Sequence, residues 1–248
     1  MILQDLHTHT TFCDGKNTPE EMVTAAIAEG LSRIGFSGHS YTAFDVSYCM
    51  TDYGAYIAEV RALAAKYAGK IEVLCGVEQD YYSDAPTADF DYVIGSVHYI
   101  RAGGGYIPVD ESAKILKNAA DKFFGGDIYA LIGSYYNTLA DVFNRTHCDI
   151  IGHFDLVSKF NEGGALFDES SPRYIAAYRR AADALADCGA RFEINTGAIA
   201  RGYRSVPYPS AEIIAYLKSR GAEFILSGDA HSTDGICFEF DKWCAFSE

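Results

Sequence analysis

Apolar residues along this chain fall into short, nearly continuous blocks that alternate with longer stretches in which they recur every three or four positions. The first block, 2–9, predicts a strand that ends on His7, Thr8 and His9. Thr18 then caps a helix, with Pro19 at its first position and Glu21 closing a capping box. Met22, Val23, Ala26 and Ile27 line one face of that helix, and Gly30 stops it. A second strand over 33–39 leads to an amphipathic helix over 53–67, stopped at Gly69. A third strand spans 71–78, and a fourth spans 91–98 after a turn-rich insert around Pro86. Helices over 112–124 and 128–146 precede a fifth strand at 149–153. The plan repeats twice more, with helix 172–187 before strand 190–195 and helix 210–220 before strand 223–227.

The strand cores do not alternate cleanly between apolar and polar, which suits parallel strands covered by helices. The fold class is therefore α/β. Seven strand–helix units follow one another with no low-complexity linker, charge block or internal repeat, so a single barrel-type domain over 1–248 is expected, with a doubly wound open sheet as the alternative. Clustered glycines at 103–105, 125–126 and 163–164 read as loop punctuation, because none sits in a strand-to-helix phosphate fingerprint.

Charge narrows the functional classes. The 248 residues carry 34 Asp plus Glu against 20 Lys plus Arg, a formal charge of −14, which disfavours a broad basic surface for nucleic acid. At 49% hydrophobic and 22% charged the composition is that of a folded domain. No apolar run reaches the roughly 20 residues that span a bilayer. The start MILQDLHTHT lacks the basic region and apolar run of a signal peptide, so a cytoplasmic protein without membrane contact is expected. Seven cysteines without a CxxC pair are expected to be reduced and mostly buried; only Cys13 and Cys237 lie near residues of chemical interest.

The histidines carry the most information. His7 and His9 end the first predicted strand, His39 the second, Glu78 the third, His98 the fourth and His153 the fifth, while Asp229 and His231 follow the seventh. Of the seven histidines only His147 lies elsewhere. A single histidine at any of these positions is more often a structural or surface residue. In a parallel barrel, however, all strand ends meet on one rim, so these residues converge. The i, i+2 pairs His7 with His9 and Asp229 with His231 can each present both side chains to one cation. Imidazole with carboxylate suits zinc, manganese or iron. The ligands are too many for one ion; Glu78 could bridge two, and ions about 3.5–4 Å apart can hold a hydroxide as nucleophile.

The ordered series HTHTTFCDG at 7–15, GFSGHS around His39, GVEQDY around Glu78, IGSVHYI around His98, DIIGHFDL around His153, EINTGA around Glu193 and SGDAH at 227–231 resembles the polymerase and histidinol phosphatase (PHP) family over nearly the whole chain. The resemblance implies a distorted, TIM-like (β/α)7 barrel with three divalent metal ions at the C-terminal rim of the strands. It implies His7, His9, Glu78 and Asp229 for the first ion, Glu78, His98 and His153 for the second, and His39 and His231 for the third. The last ligand of that third ion is a histidine in several members; this chain has Asp14 there, as other members do. Within the family the chain is most similar to members that hydrolyse L-histidinol phosphate, which implies a metal-dependent phosphomonoesterase with a small phosphorylated substrate.

Phosphate ester cleavage asks for neutralised equatorial oxygens, an in-line nucleophile and a protonated leaving group. Asp229 or His231 is expected to protonate the leaving alkoxide, with a metal-bridging hydroxide attacking phosphorus. Lys159, Arg201 and Arg204 are the candidates for a cationic phosphate clamp. Glu193 and Asn195 read equally as rim hydrogen-bonding groups or as contacts to a ligand or substrate amine, and Asp155 as a turn residue or a group behind the ligands. The paired tyrosines at 81–82 and 135–136 read as core and rim packing, and Trp243 as a seal for the C-terminal tail. The competing classes are a PHP phosphoesterase acting on nucleotides, oligonucleotide ends or phosphotyrosine, and a metal-binding protein on an inactive barrel. The complete ligand set argues against the latter.

Overall fold

The computed structural model describes residues 3–247. Seven parallel strands form one sheet in the order β1 (Gln4–Asp5), β2 (Arg33–His39), β3 (Glu72–Asp80), β4 (Tyr92–Ser96), β7 (Ile150–Ile151), β8 (Arg191–Asn195) and β9 (Phe224–Ser227). Between β4 and β7 lies a separate antiparallel hairpin, β5 (Tyr99–Ala102) and β6 (Gly105–Pro108). The helices α1 (Pro19–Ala28), α2 (Tyr53–Lys66), α3 (Ala113–Phe123), α4 (Ile128–Leu139), α5 (Val142–Thr146), α6 (Pro172–Leu185), α7 (Gly197–Ala200), α8 (Ala211–Ser219) and α9 (Phe240–Trp243) complete the chain, most of them around the sheet. The sheet curls into a nearly closed barrel, as the strand pattern predicts. None of the described helices is long and apolar enough to cross a membrane, and all seven cysteines are free.

The barrel closes where the two i, i+2 pairs lie. A parallel bridge joins Thr8 to Ala230, with the His9 amide donating to the Ala230 carbonyl at 2.9 Å and the Ala230 amide to the His7 carbonyl at 3.0 Å. Below it the fully buried Asp5 carboxylate accepts the amides of His7, Gly228 and Cys237 at 3.2, 3.0 and 3.0 Å, tying both edges together. A Cβ at Gly228 would lie 2.3 Å from Asp5 Oδ2, so glycine alone lets the edges approach. Deeper in the barrel Leu6, Tyr92, Ile94, Ile150 and Ile225 pack together. The Tyr92 hydroxyl donates to the Leu6 and Phe36 carbonyls at 2.6 and 3.1 Å, and its ring fills the space left by Gly35 and Gly76, where a Cβ would meet it at 2.4 and 2.3 Å. Outside the sheet the larger core joins the buried faces of the helices, among them Met22, Val60, Leu116, Tyr135, Tyr174 and Leu217.

Several boundaries differ from the expected ones. The first strand shortens to Gln4–Asp5; its expected first residue, Ile2, lies outside the described residues. Thr8 nevertheless stays against β2, accepting the Ser37 amide at 2.9 Å and donating its hydroxyl to the Gly35 carbonyl at 2.9 Å. The helix expected over 128–146 breaks after Leu139, where the Asp141 carboxylate is drawn to the Tyr81 hydroxyl (2.9 Å) and the Asn144 amide (3.0 Å). The β5–β6 hairpin has no counterpart in the expected elements. Its strands are short, and its turn places Gly103 and Gly104 at φ +59° and +80°.

Candidate metal centre

Each strand delivers its chemistry at or just beyond its C-terminal end, so residues scattered over the whole chain meet on one rim. Glu78, 1% exposed, stands at the centre. Its Oε2 lies 3.2 Å from His7 Nε2, 3.6 Å from His9 Nε2 and 2.9 Å from His39 Nδ1; its Oε1 lies 3.2 Å from His98 Nε2 and 2.9 Å from His153 Nε2. Burial alone would raise the Glu78 carboxyl pKa, but His39, His7, His98 and His153 hold it well below the usual carboxylate range. Asp229 Oδ1 is 3.3 Å from His9 Nε2 and 3.8 Å from His7 Nε2. Asp14, on the loop after the first strand, faces His231 Nε2 at 3.2 Å and His39 Nε2 at 3.5 Å.

These donors form three groups in which every ligand atom is within 4.8 Å of the others: His7, His9 and Asp229; His39, Glu78 and His98; and His9, Asp14, His39 and His231. Against the sets implied by the family resemblance, His39 sits between two groups, with Nδ1 toward Glu78 and Nε2 toward Asp14, and His9 is likewise shared. His153 is in none of the three groups; its Nε2 lies 2.9 Å from Glu78 Oε1, and its ring is 5.1 Å from that of His98.

The protonation pattern fits divalent ions. His7 Nδ1 lies 2.6 Å from Glu193 Oε1, a contact that favours a proton on Nδ1, so that in the neutral ring Nε2 is the nitrogen left to face the cluster. Among the described residues, His7 Nε2, His9 Nε2 and Glu78 Oε2 are buried without a hydrogen bond of good geometry, although Glu78 Oε2 lies 2.9 Å from His39 Nδ1. Leaving such groups unpaired costs about 1–3 kcal/mol each, a penalty that coordination removes. The donors are imidazole nitrogens and carboxylate oxygens with no thiolate among the grouped ligands, the set that zinc, manganese or iron accepts.

The cluster floors a cavity of about 360 Å³. Arg201 enters it from the end of α7, donating from Nη2 to Asp229 Oδ2 at 2.8 Å and from Nη1 to the Asp229 carbonyl at 2.7 Å. Gly197 makes this approach possible, since a Cβ there would lie 2.8 Å from Asp229 Cβ and 3.0 Å from Arg201 Nη2. Lys159 also lines the cavity, its Nζ 3.4 Å from Asp110 Oδ2 and 5.0 Å from the centre of the Tyr203 ring. The expected third cation is not brought there. Arg204 lies outside the lining, 7% exposed, bonded to the Ser158 hydroxyl and carbonyl and 5.5 Å over the Tyr208 ring; the chain turns at Gly202, between the two arginines.

Other singled-out residues take structural places. Glu193 holds His7 and also accepts the His153 amide at 2.9 Å and the Asn195 side-chain amide at 3.1 Å. Asp155 is fully buried and accepts the Ser210 amide at 3.1 Å; burial pushes its carboxyl up to about 6. Sequence reasoning missed the outer wall: Tyr48, whose ring is 4.9 Å from that of His39, and Tyr99, Asp45 and Asp110. Tyr99 and Asp110 come from and follow the unexpected hairpin, so they carried no strand-end signal.

Residues 5–197 match the family model of the PHP domain. A "probable histidinol-phosphatase" of Deinococcus radiodurans is 30% identical over 254 aligned residues, covering 96% of this chain and 90% of that protein. Among solved structures, a candidate histidinol phosphatase of Listeria monocytogenes superposes with a TM-score of 0.82 at 21% identity, covering 97% of this chain and all (100%) of that one. The histidinol phosphate phosphatase of Lactococcus lactis, solved with zinc, L-histidinol and phosphate, gives a TM-score of 0.68 at 24% identity over 94% of this chain and 87% of that one. At these identities the two structures establish a shared fold.

Proposed function

The chain belongs to the PHP domain family, and from that premise we propose that it is a metal-dependent phosphomonoesterase that hydrolyses L-histidinol phosphate to L-histidinol and phosphate, a cytoplasmic step of histidine biosynthesis. The observation that carries the reading is the convergence on Glu78 of five imidazoles beside Asp229, on the floor of a cavity that Arg201 and Lys159 also line. Three divalent ions, of zinc, manganese or iron, suit the three groups of donors. Bound there, such ions supply charge neutralisation for phosphoryl oxygens and acidify water to a nucleophile near neutral pH.

The chain's own groups do the rest. Glu193 keeps the His7 proton on Nδ1. Arg201 offers guanidinium N–H groups at the cavity edge, where a phosphate oxygen can accept them. His231, or Asp229 after taking a proton from the attacking water, delivers the proton to the leaving alkoxide; both line the cavity, and against the effect of burial Arg201 and the histidines hold the Asp229 carboxyl ionised beforehand. Asp45 and the rings of Tyr48 and Tyr99, which also line the cavity, give the organic part of the substrate an acidic, aromatic wall, which suits an amine and an imidazole, while Asp110 is paired with Lys159. A phosphate-release panel on metal-loaded protein tests the reading: histidinol phosphate against nucleoside monophosphates, phosphotyrosine and a short oligonucleotide. The expected result is a preference of at least about tenfold in kcat/KM for histidinol phosphate; a flat panel removes the substrate and leaves a general phosphoesterase.

A further inference from the structure

One buried carboxylate at the rim is absent from the ligand groups. Asp80 ends β3 two residues beyond Glu78, so the strand that presents the central ligand presents Asp80 on the same side, and it is 2% exposed. Its Oδ2 accepts the backbone amide of His98 at 3.0 Å and lies 3.3 Å from Nδ1 of the same residue's ring. Its Oδ1 accepts the Tyr82 amide at 2.8 Å. Its own amide donates to the Ser40 hydroxyl at 2.9 Å, and the Ser40 amide in turn donates to the Glu78 carbonyl at 2.9 Å. Ser40 directly follows His39. Asp80 thus ties together the ends of the strands that carry His39, Glu78 and His98, the three members of one donor group.

We propose that Asp80 is the positioning residue of that group: it holds the His98 proton on Nδ1 and fixes the ring so that Nε2 meets the ion shared with Glu78 and His39. One oxygen gripping both the amide and the ring of His98 restrains the imidazole in position and in tautomer at once. A neutral imidazole has a single lone pair to give, and without an acceptor at Nδ1 the proton is free to settle on Nε2 and block coordination. Glu193 does the same for His7 from a different strand, so the barrel uses two carboxylates, from β3 and β8, to aim two ligands at one centre. The inference concerns metal affinity and stands apart from the identity of the substrate.

The experiment is zinc binding to the ion-stripped full chain by competition with a chromophoric chelator, for wild type, Asp80→Ala and Asp80→Asn, together with zinc content after gel filtration. Asp80→Ala is expected to weaken one class of zinc sites by about 10- to 100-fold and to lower the retained zinc by one ion per chain relative to wild type, leaving the other sites unchanged. Asp80→Asn preserves size and the option of accepting the His98 amide, but its NH2 or a single carbonyl must now serve both positions, so it is expected to fall between the two. Circular dichroism and melting of the ion-free proteins check that the fold survives. Unchanged zinc affinity in a folded Asp80→Ala overturns the proposal. If Asp80→Ala does not fold, Asp80→Asn decides it, and wild-type affinity there overturns it equally. Weakening of all zinc sites alike would also sink it, since that marks a general structural role.

Discussion

Arg201 grips Asp229 through both its carboxylate and its carbonyl, and its Nη1 also lies 3.0 Å from His231 Nδ1. Burial opposes its charge, but Asp229 holds the guanidinium pKa above its ordinary value, so it is a fixed cation at the cavity edge. Replacing it with alanine should raise KM for the phosphorylated substrate by about 10-fold or more, the worth of a charge-assisted hydrogen bond; an unchanged KM removes Arg201 from the clamp. Asp229→Asn should lower turnover at least about a hundredfold, since one residue is candidate ligand, Arg201 partner and candidate proton carrier. Steady-state kinetics at saturating metal decide this, and a wild-type rate dismisses the role. At this scale the gathering of the histidines was legible in the sequence and the direction of the cations was not. Histidines at or shortly after the ends of parallel strands converge whatever their rotamers, so position is informative for them. An arginine side chain is long enough to turn either way, and Arg201 and Arg204, three residues apart, point to different environments.

The elements owe their positions to features a linear pattern shows unevenly. Thr18 with Glu21 forms the expected capping box, with the Glu21 amide donating to the Thr18 hydroxyl at 3.3 Å and the Thr18 amide to the Glu21 carboxylate at 2.8 Å. Strand number and order along the chain were readable because most of the parallel strands are set apart by helices with their own periodicity, and β3 and β4 by a turn-rich insert. Lengths were not: β7 keeps only Ile150–Ile151 in the ladder, as the chain leaves the sheet to aim His153. The hairpin stayed hidden because its residues look like a glycine-rich loop. The interior of the barrel offers a test of element packing. Tyr92→Phe keeps the ring against Gly35 and Gly76 but removes the hydroxyl's bonds to the Leu6 and Phe36 carbonyls, and should destabilise the protein by about 1 kcal/mol in urea unfolding. A loss below a few tenths of a kcal/mol would show that the hydroxyl does not hold β2 and the first segment to β4.

For the whole molecule, the ions and the fold are coupled. Without ions, burial would lower the His98 imidazole, but Glu78 and Asp80 push it up to about 10 from an ordinary value of 6.5. A folded-state value above the unfolded one stabilises the protein fully below about pH 6.5, and that contribution is lost as pH rises through about 10. The ion-free chain should therefore melt at progressively lower temperature from pH 7 to 10. The zinc-loaded chain, in which coordination replaces the proton, should lose much less over that range. By the same linkage zinc binding at pH 7 should release protons, seen as a binding heat that varies with the ionisation enthalpy of the buffer; a buffer-independent heat would contradict it. Stripping the ions with a chelator should lower the melting temperature, and adding zinc should restore it, since ligands that bind only the folded chain stabilise it by mass action.

The sequence by itself determined the class of fold and the number of strands in the sheet, and it singled out the rim where the candidate donors gather. All of these follow from local periodicity and from the fact that parallel strand ends converge. Only the tertiary structure decided which donors lie together, which arginine faces the cavity, and that Glu193 and Asp80 lie against the imidazoles of His7 and His98. Those outcomes depend on distances of a few tenths of an ångström between strands far apart in sequence and on loops with no repeating pattern. Convergence is a property of topology, which a sequence encodes in its order of elements; coordination is a property of geometry, which exists only after the barrel has closed through Asp5, Thr8 and Ala230.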